Sequence, residues 1–250
     1  MTEASPPLAG VIGWPIAHSL SPVLHGHWLQ RYGIAGHYVP IGLKPQAFEE
    51  GVRALPNLGF RGVNVTLPFK EQALSMAETV SDRASLIGAA NTLVFRENGS
   101  ILADNTDGYG FIESIRATAP DWDARGAPAL VLGAGGASRA IVSALLAQGA
   151  PEVRIANRTR QRAEILSDQF GARITVIDWN RASEAAEGIG IVVNTTALGM
   201  TGKADLVFAL DAAPVTALVS DIVYRPLETG LLRAARLRGH PTVDGLGMLL

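Results

Sequence analysis

The segment that most restricts the fold is Ala129-Leu130-Val131-Leu132, which runs directly into Gly133-Ala134-Gly135-Gly136-Ala137-Ser138. Beyond it, a helical pattern continues to about Ala147. A short apolar run bounded by glycines reads as a buried strand, and the glycines let the chain turn at once into a helix. Strand, glycine turn and helix open a βαβ unit, which requires a parallel sheet covered by helices. Short apolar runs alternate with helix-period segments along the whole chain, so the expected class is α/β with mainly parallel sheets.

In the first half, Leu8–Gly13 reads as a strand and Ser21-Pro22 as an N-cap followed by proline at the first helical position. Leu24, Trp28 and Tyr32 share a helix face, with Gly33 at the C-terminal cap. His37–Leu43 is a second strand, Pro45 opens a helix carrying Phe48, Val52 and Leu55, and Gly62–Thr66 is a third strand. Asn98-Gly99 joins strands at Asn91–Phe95 and Ser100–Asp104 into a hairpin. A helix is expected over about 108–117, and the aperiodic stretch 119–128 reads as a linker or surface excursion. Later strands are expected at 129–132, 153–156, 174–177, 189–193 and 218–222, with helices near 136–147, 160–170 and 229–238.

Composition narrows the function. The 250 residues are 48% hydrophobic and 18% charged with a net charge of −2, which excludes a disordered chain and gives no electrostatic footprint for nucleic acid or an anionic membrane. Without cysteine there is no disulfide framework, thiolate-held metal or Cys nucleophile. Residues 1–7 lack a basic and apolar leader pattern, and no uncharged apolar run reaches membrane-span length, so the expected setting is cytoplasmic.

A glycine loop between strand and helix suits a pyrophosphate, because backbone N–H groups approach it closely and the helix N-terminus faces its charge. The candidate loop is Gly133, Ala134, Gly135, Gly136 and Ala137; Ser138 departs from the expected final glycine or alanine. An NAD site usually places a carboxylate at the end of the next strand. Here that strand ends in Ala156-Asn157-Arg158-Thr159, with Arg160 and Arg162 following. A guanidinium there suits the 2′-phosphate of NADP, and cations at a helix start oppose the dipole, so the expected cofactor is NADP.

Three polar clusters punctuate the first half near strand ends or helix starts: residues 13–22, 64–70 and 103–108. That edge is where open α/β sheets hold ligands. Ser19 and Ser21 could hold a carboxylate. Lys70 and Asp107 form the natural acid/base pair, the ammonium supplying a proton to a carbonyl that gains negative charge and the carboxylate orienting hydroxyl and ammonium.

Read in order, these clusters resemble the shikimate/quinate dehydrogenase family. Residues 13–25, Gly-Trp-Pro-Ile-Ala-His-Ser-Leu-Ser-Pro-Val-Leu-His, resemble its substrate motif, with Gly26 where Asn is usual. Residues 64–70, Asn-Val-Thr-Leu-Pro-Phe-Lys, resemble the catalytic-lysine motif, and 88–92 and 105–108 the next two. Residues 133–137, 157–159, 194–200, 221–227 and 244–250 continue the series across nearly the whole chain.

The resemblance implies reversible NADP-dependent conversion of 3-dehydroshikimate to shikimate, a step toward chorismate and aromatic amino acids. It implies two α/β domains: an open, mostly parallel substrate domain at 1–107 and a Rossmann-type NADP-binding domain at 108–243, with 244–250 beginning a helix that returns to the first. By the same resemblance Ser19 and Ser21 bind the substrate carboxylate with Tyr224 nearby, Thr66, Asn91 and Asp107 hold ring hydroxyls, and Lys70 is proton donor and acceptor. Asp82 matches an acidic position near the cofactor; Ile222 and Gly245 match positions beside the nicotinamide. The cofactor set is completed by Asn157, Arg158, Thr159 and Arg162. The family motif ending Gly-Met-Leu continues to a substrate-contacting Gln, whereas the given chain ends at Leu250, two residues before that position, which bears on substrate affinity and the domain interface.

Two other readings stand beside this one: a quinate/shikimate dehydrogenase with broader substrate or NAD use, and a non-catalytic shikimate-binding sensor. No metal site is expected, because His25 and His27 are two apart on a helix and face different ways. The residues leave assembly open between monomer and homodimer.

Overall fold

The computed structural model describes residues 6–250, so the reading of the first five residues as free of a leader pattern lies outside the described residues. The chain divides into two compact units that meet between Thr106 and Asp107.

The first unit runs β1 (Leu8–Gly13), α1 (Ser21–Arg31), β2 (His37–Gly42), α2 (Phe48–Ala54), β3 (Phe60–Val65), α3 (Lys70–Ser75), β4 (Thr79–Val80), α4 (Asp82–Ile87), β5 (Thr92–Phe95) and β6 (Ile101–Asp104). Its sheet has the order β2-β1-β3-β5-β6-β4. β5 runs against β3 and β6, and the other pairings are parallel. Strand side chains alternate between faces. Val63 and Val65 therefore join Ile12, Leu93, Phe48, Val52 and Phe69 in the core, where the Phe48 and Phe69 rings stack 4.3 Å apart. Asn64, between the two valines, emerges on the opposite face.

The second unit runs α5 (Asp107–Thr118), β7 (Ala129–Leu132), α6 (Gly136–Ala147), β8 (Val153–Asn157), α7 (Arg160–Phe170), β9 (Ile174–Asp178), β10 (Ile191–Asn194), β11 (Leu218–Asp221), α8 (Gly230–Leu237), β12 (Thr242–Val243) and α9 (Leu246–Leu249). The sheet order is β12-β11-β10-β7-β8-β9, with parallel pairing throughout. Both faces are covered, so β7, β10 and β11 are buried at every position; β7 is apolar throughout, whereas β10 ends in Asn194 and β11 in Ser220 and Asp221. Val131 packs with Ile141, Leu145 and Leu166 on one face; Leu130 and Leu132 pack with Val192, Val219 and Leu232 on the other. The strand order reverses between β7 and β10. That is the switch point at which such sheets bind ligands beyond their carboxyl ends.

The two α/β units and the parallel sheets agree with the sequence expectation. Several local expectations change. Ser21 is the first residue of α1 rather than its cap; the cap is Leu20, which makes no side-chain bond, and the Ser19 hydroxyl accepts the Ser21 N–H at 3.3 Å. The stretch 119–128 belongs to the second unit, held by the Trp122 indole N–H donating to the Gly190 carbonyl at 3.3 Å. Helices α3 and α4 and strands β4 and β12 were not expected, being too short to show a period. Within the second unit, α9 packs on α5, where an added Cβ at Gly110 would lie 2.7 Å from the Met248 carbonyl oxygen.

Candidate active site

In the first unit, three connections lead to one edge of the sheet. The turn after β3 is tied back to β1 by Thr66 N–H donating to the Ile12 carbonyl at 2.8 Å and Trp14 N–H to the Leu67 carbonyl at 3.0 Å. The segment before β5 is tied to β3 and α3 by Val65 N–H to the Asn91 carbonyl at 2.7 Å and Ala90 N–H to the Lys70 carbonyl at 2.8 Å. The segment after β6 joins through Asn91 N–H to the Asp104 carbonyl at 3.0 Å. These ties gather Thr66, Lys70 and Asn91 at the carboxyl end of β3. Lys70 is half-buried and opens α3. A cation at that end opposes the helix dipole, so helix stability does not explain it.

Side chains continue the ties. The Asn91 amide nitrogen donates to the Thr106 hydroxyl at 3.0 Å and its oxygen accepts the Thr106 N–H at 3.1 Å. Asn105, 1% exposed, donates to the Ala89 carbonyl at 2.8 Å. Asp104 accepts from Ser81 at 2.6 Å, from the Asn105 N–H at 2.7 Å and from Arg83 in a two-pronged ion pair. Those hydrogen bonds, chiefly with Arg83, hold its carboxyl down to about 2. Asp82, predicted near a cofactor, is exposed in the first turn of α4, beside this cluster. Ser19 is half-buried and Ser21 only 8% exposed, at the start of α1.

Sequence reasoning missed Tyr38 on β2. Burial pushes its phenol up strongly. Its ring stacks on His25 at 4.0 Å and its hydroxyl donates to Asn64 Oδ1 at 2.7 Å. No spacing rule marks a tyrosine in a half-exposed strand as a partner of a distant asparagine.

In the second unit, the glycine loop follows β7 at the switch point. Gly133 has φ +115°, and an added Cβ would lie 2.6 Å from the Thr195 hydroxyl, so only glycine fits. Gly135 is different: its backbone is extended, and an added Cβ would meet nothing within 4 Å. That open space, in front of the α6 N-terminus, is where a phosphate could approach backbone N–H groups. Ser138 explains its own departure from the expected glycine or alanine. Fully buried, its hydroxyl accepts the Gly135 N–H at 3.1 Å and pairs with the Thr195 hydroxyl at 2.5 Å. Thr195 in turn donates to the Leu132 carbonyl at 2.8 Å, which clamps the loop between β7 and β10.

At the end of β8, the Asn157 amide donates to the Thr159 carbonyl at 2.8 Å. Arg160 is committed to Glu164 at 2.9 Å and Asp178 at 2.6 Å. Arg158 and Arg162 are exposed and make no ion pair among the described residues. The donor set thus fits NADP: an open cradle at Gly135 before a helix N-terminus suits the pyrophosphate, and uncommitted guanidinium groups with no carboxylate at the β8 end suit a doubly charged 2′-phosphate.

The β11 loop carries Ile222 and half-buried Tyr224. It is pinned by buried Asp221, which accepts from the Val223 N–H at 3.0 Å, the Asn194 amide at 3.0 Å and the Thr229 hydroxyl at 2.8 Å. Burial still pushes this carboxyl up. Ile222 and Gly245 are brought together, since a Cβ on Gly245 would overlap the Ile222 carbonyl. Asp107 is the first residue of α5 in the second unit and half-buried.

Comparison with known proteins bears directly on this arrangement. Residues 11–93 match the family described as shikimate dehydrogenase substrate binding domain, and residues 117–201 match shikimate / quinate 5-dehydrogenase. A Dinoroseobacter shibae protein named shikimate dehydrogenase (NADP(+)) is 61% identical over 250 residues, 100% of this chain and 90% of its own. A Paracoccus denitrificans protein of the same name is 58% identical over 249 residues, 100% of this chain and 88% of its own. Among solved structures, the Thermus thermophilus shikimate 5-dehydrogenase in complex with NADP(H) and shikimate is 38% identical with a TM-score of 0.84, covering 97% of this chain and 88% of its own. Quinate dehydrogenase from Corynebacterium glutamicum in complex with NAD is 30% identical with a TM-score of 0.87, covering 98% and 89%. With matches to both halves and identity sustained over the full length, the chain belongs to the shikimate dehydrogenase family.

Proposed function

We infer that this protein is an NADP-dependent oxidoreductase that interconverts 3-dehydroshikimate and shikimate, in the biosynthetic route toward chorismate and aromatic amino acids. The observation that carries the reading is the gathering of Thr66, Lys70 and Asn91 at one sheet edge, in a chain whose nearly full-length relatives bear that activity's name. No helix among the described residues is long and apolar enough to cross a membrane; we place the enzyme in the cytoplasm as part of the proposal.

In this reading the first unit is the substrate domain and the second the cofactor domain. Ser19 and Ser21 bind the substrate carboxylate, and Thr66, Asn91 and Asp107 hold ring hydroxyls, with Tyr224 nearby. NADP, when bound, supplies or accepts the hydride. Gly133 to Ala137 cradle its pyrophosphate, and Asn157, Arg158, Thr159 and Arg162 hold its adenosine end. Asp82 lies toward the cofactor, and Ile222 and Gly245 flank the nicotinamide. Lys70 Nζ gives a proton to the carbonyl oxygen as negative charge develops there and takes it back in reverse, while the Asp107 carboxylate orients hydroxyl and ammonium. The binding residues set orientation and exclude water.

The absence of a carboxylate at the β8 end favours NADP over NAD, and with it this reading over a broader quinate dehydrogenase. The test is nicotinamide reduction with shikimate or quinate, each with NADP+ and with NAD+. Fast reduction with shikimate and NADP+ only is expected; comparable rates with quinate or NAD+ would move the assignment to the broader enzyme. Lys70→Ala should remove most turnover and leave shikimate binding measurable by calorimetry. Surviving turnover would overturn the proton-transfer role, and binding without turnover in the unaltered protein would leave a sensor.

A further inference from the structure

Leu132, Asn194 and Asp221 are the last residues of β7, β10 and β11, and they stand level with one another across the sheet of the second unit. Gly133 follows Leu132 directly, so Asp221 lies two strand spacings, about 10 Å, from the glycine loop along the same edge. Asp221 is the ionisable member of the three, and it is fully buried. Burying a carboxylate is costly unless a cation or several hydrogen bonds meet it. No lysine, arginine or histidine pairs with Asp221 among the described residues; its partners are the Val223 N–H, the Asn194 amide and the Thr229 hydroxyl.

The directions of these bonds follow from groups whose role is fixed. The Val223 backbone N–H can only donate, and it meets Asp221 Oδ1 at 3.0 Å. The Thr196 backbone N–H also can only donate, and it meets one terminal atom of Asn194 at 3.0 Å, so that atom is the amide oxygen. The other terminal atom is then the nitrogen, which donates to Asp221 Oδ1 at 3.0 Å and to the Leu198 carbonyl at 3.1 Å. The Thr229 oxygen accepts the Leu232 N–H at 3.3 Å, and its own proton goes to Asp221 Oδ2 at 2.8 Å. Both carboxyl oxygens therefore face donors, as an ionised carboxylate requires. Burial pushes the Asp221 carboxyl up, and the three donors pull it back. The N-terminus of α8, capped by Thr229, offsets part of the charge. An asparagine of the same shape could tie the same elements without burying a charge, because the Thr229 hydroxyl could turn to accept from its nitrogen. The structural ties thus account for the shape of Asp221 and leave its charge unexplained.

What lies over this edge supplies a use for the charge. A dinucleotide seated at the glycine loop has its adenosine on the β8 side, so its nicotinamide half extends the other way, over the ends of β10 and β11. The oxidised nicotinamide ring is a cation, and the reduced ring is neutral. We propose that the Asp221 carboxylate makes this site favour the oxidised cofactor, by attracting the positive charge that the nicotinamide ring carries in NADP+ and lacks in NADPH. The inference rests on the functional reading above. In the direction of carbonyl reduction the same charge eases hydride release, because the ring becomes positive as the hydride leaves. Unit charges about 10 Å apart, at an effective dielectric constant of about 20–40, shift an equilibrium roughly four- to fifteenfold. The phosphates are common to both forms of the cofactor, so their contribution cancels in a ratio of the two affinities.

The test measures Kd for NADP+ and for NADPH by calorimetry on the full chain and reads their ratio. Asp221→Asn and Asp221→Ser both remove the charge, so either one that folds gives the answer. Thr229→Val removes one hydrogen bond from the same network and keeps the charge. The expected result is a ratio of Kd for NADP+ to Kd for NADPH raised about fourfold or more in the neutral variants, with the Thr229→Val ratio unmoved. A merely structural role moves both Kd values together, so an unchanged ratio in a folded neutral variant overturns the proposal. So does a Thr229→Val ratio shifted as far as that of Asp221→Asn. The unaltered protein supplies a reading that needs no variant: the Asp221 carboxyl carbon, followed by NMR at neutral pH, should show the shift of a carboxylate, and a protonated carboxyl there overturns the proposal. Failure of the unaltered protein to bind either form of the cofactor would instead overturn the functional reading beneath it.

Discussion

Replacing Gly135 with alanine separates cofactor binding from folding. The backbone at Gly135 is extended, with φ −102° and ψ −172°, a conformation any residue adopts, and an added Cβ meets nothing within 4 Å. The free protein therefore has room for the methyl group. Restricting the unfolded chain contributes roughly 0.4–1 kcal/mol of stability, partly offset because alanine is a poorer helix cap than glycine. The Tm should stay within about 4 °C of the parent. A pyrophosphate seated against this loop would meet the methyl group directly. Overpacking a fitted contact costs about 1–3 kcal/mol, which is roughly a 5- to 150-fold weaker Kd. Calorimetric titration with NADP+ and a thermal melt measure both quantities. Gly133→Ala is the counterpart: φ is +115° and the new Cβ would sit 2.6 Å from the Thr195 hydroxyl, so it should lower Tm by several degrees. If Gly135→Ala melts normally and binds NADP+ within about twofold of the parent, the loop is not the pyrophosphate seat.

Arg158→Ala should weaken NADP+ by roughly 10- to 150-fold, the range for a lost charge-assisted hydrogen bond, and leave NAD+ nearly unaffected. Equal effects on the two cofactors would remove the 2′-phosphate from Arg158. Asp104, held down to about 2 chiefly by Arg83, should add stability that is complete above its unfolded pKa and lost as pH falls through about 2. Arg83 is half exposed, so screening leaves roughly 1–2 kcal/mol of that contribution. Denaturant titrations between neutral and acid pH should show Asp104→Asn losing less stability than the parent on acidification; equal losses would dissociate the ion pair from the acid response.

Much of the fold is legible in the chain because it rests on local rules. The run Ala129–Leu132 is buried on both faces, so it is apolar throughout and needs no periodicity to be recognised as a strand. Gly133 stands where φ is positive, and the Asn98-Gly99 turn closes a real hairpin with Gly99 at φ +84°. Phe48, Val52 and Leu55 share a buried face as their spacing requires. The short elements escaped for a matching reason. Lys70–Ser75 and Asp82–Ile87 are too brief to show a period, and their ends are set by ties such as Ala90 N–H to the Lys70 carbonyl.

The site divides along the same line. Sequence by itself determined which residue types are present and in what order: hydroxyls around the start of α1, a lysine after β3, glycines after β7, and arginines rather than a carboxylate after β8. Only tertiary structure decided which arginine is available, since Arg160 is taken by Glu164 and by Asp178 from another strand. It also decided why serine stands at 138, where glycine or alanine is expected, through a hydroxyl that reaches both Gly135 and Thr195. The Tyr38–Asn64 hydrogen bond was likewise invisible, because it joins side chains on β2 and β3 that lie 26 positions apart in the chain. Local conformation follows from neighbours in the chain, whereas hydrogen-bond direction depends on partners that meet only when strands pair.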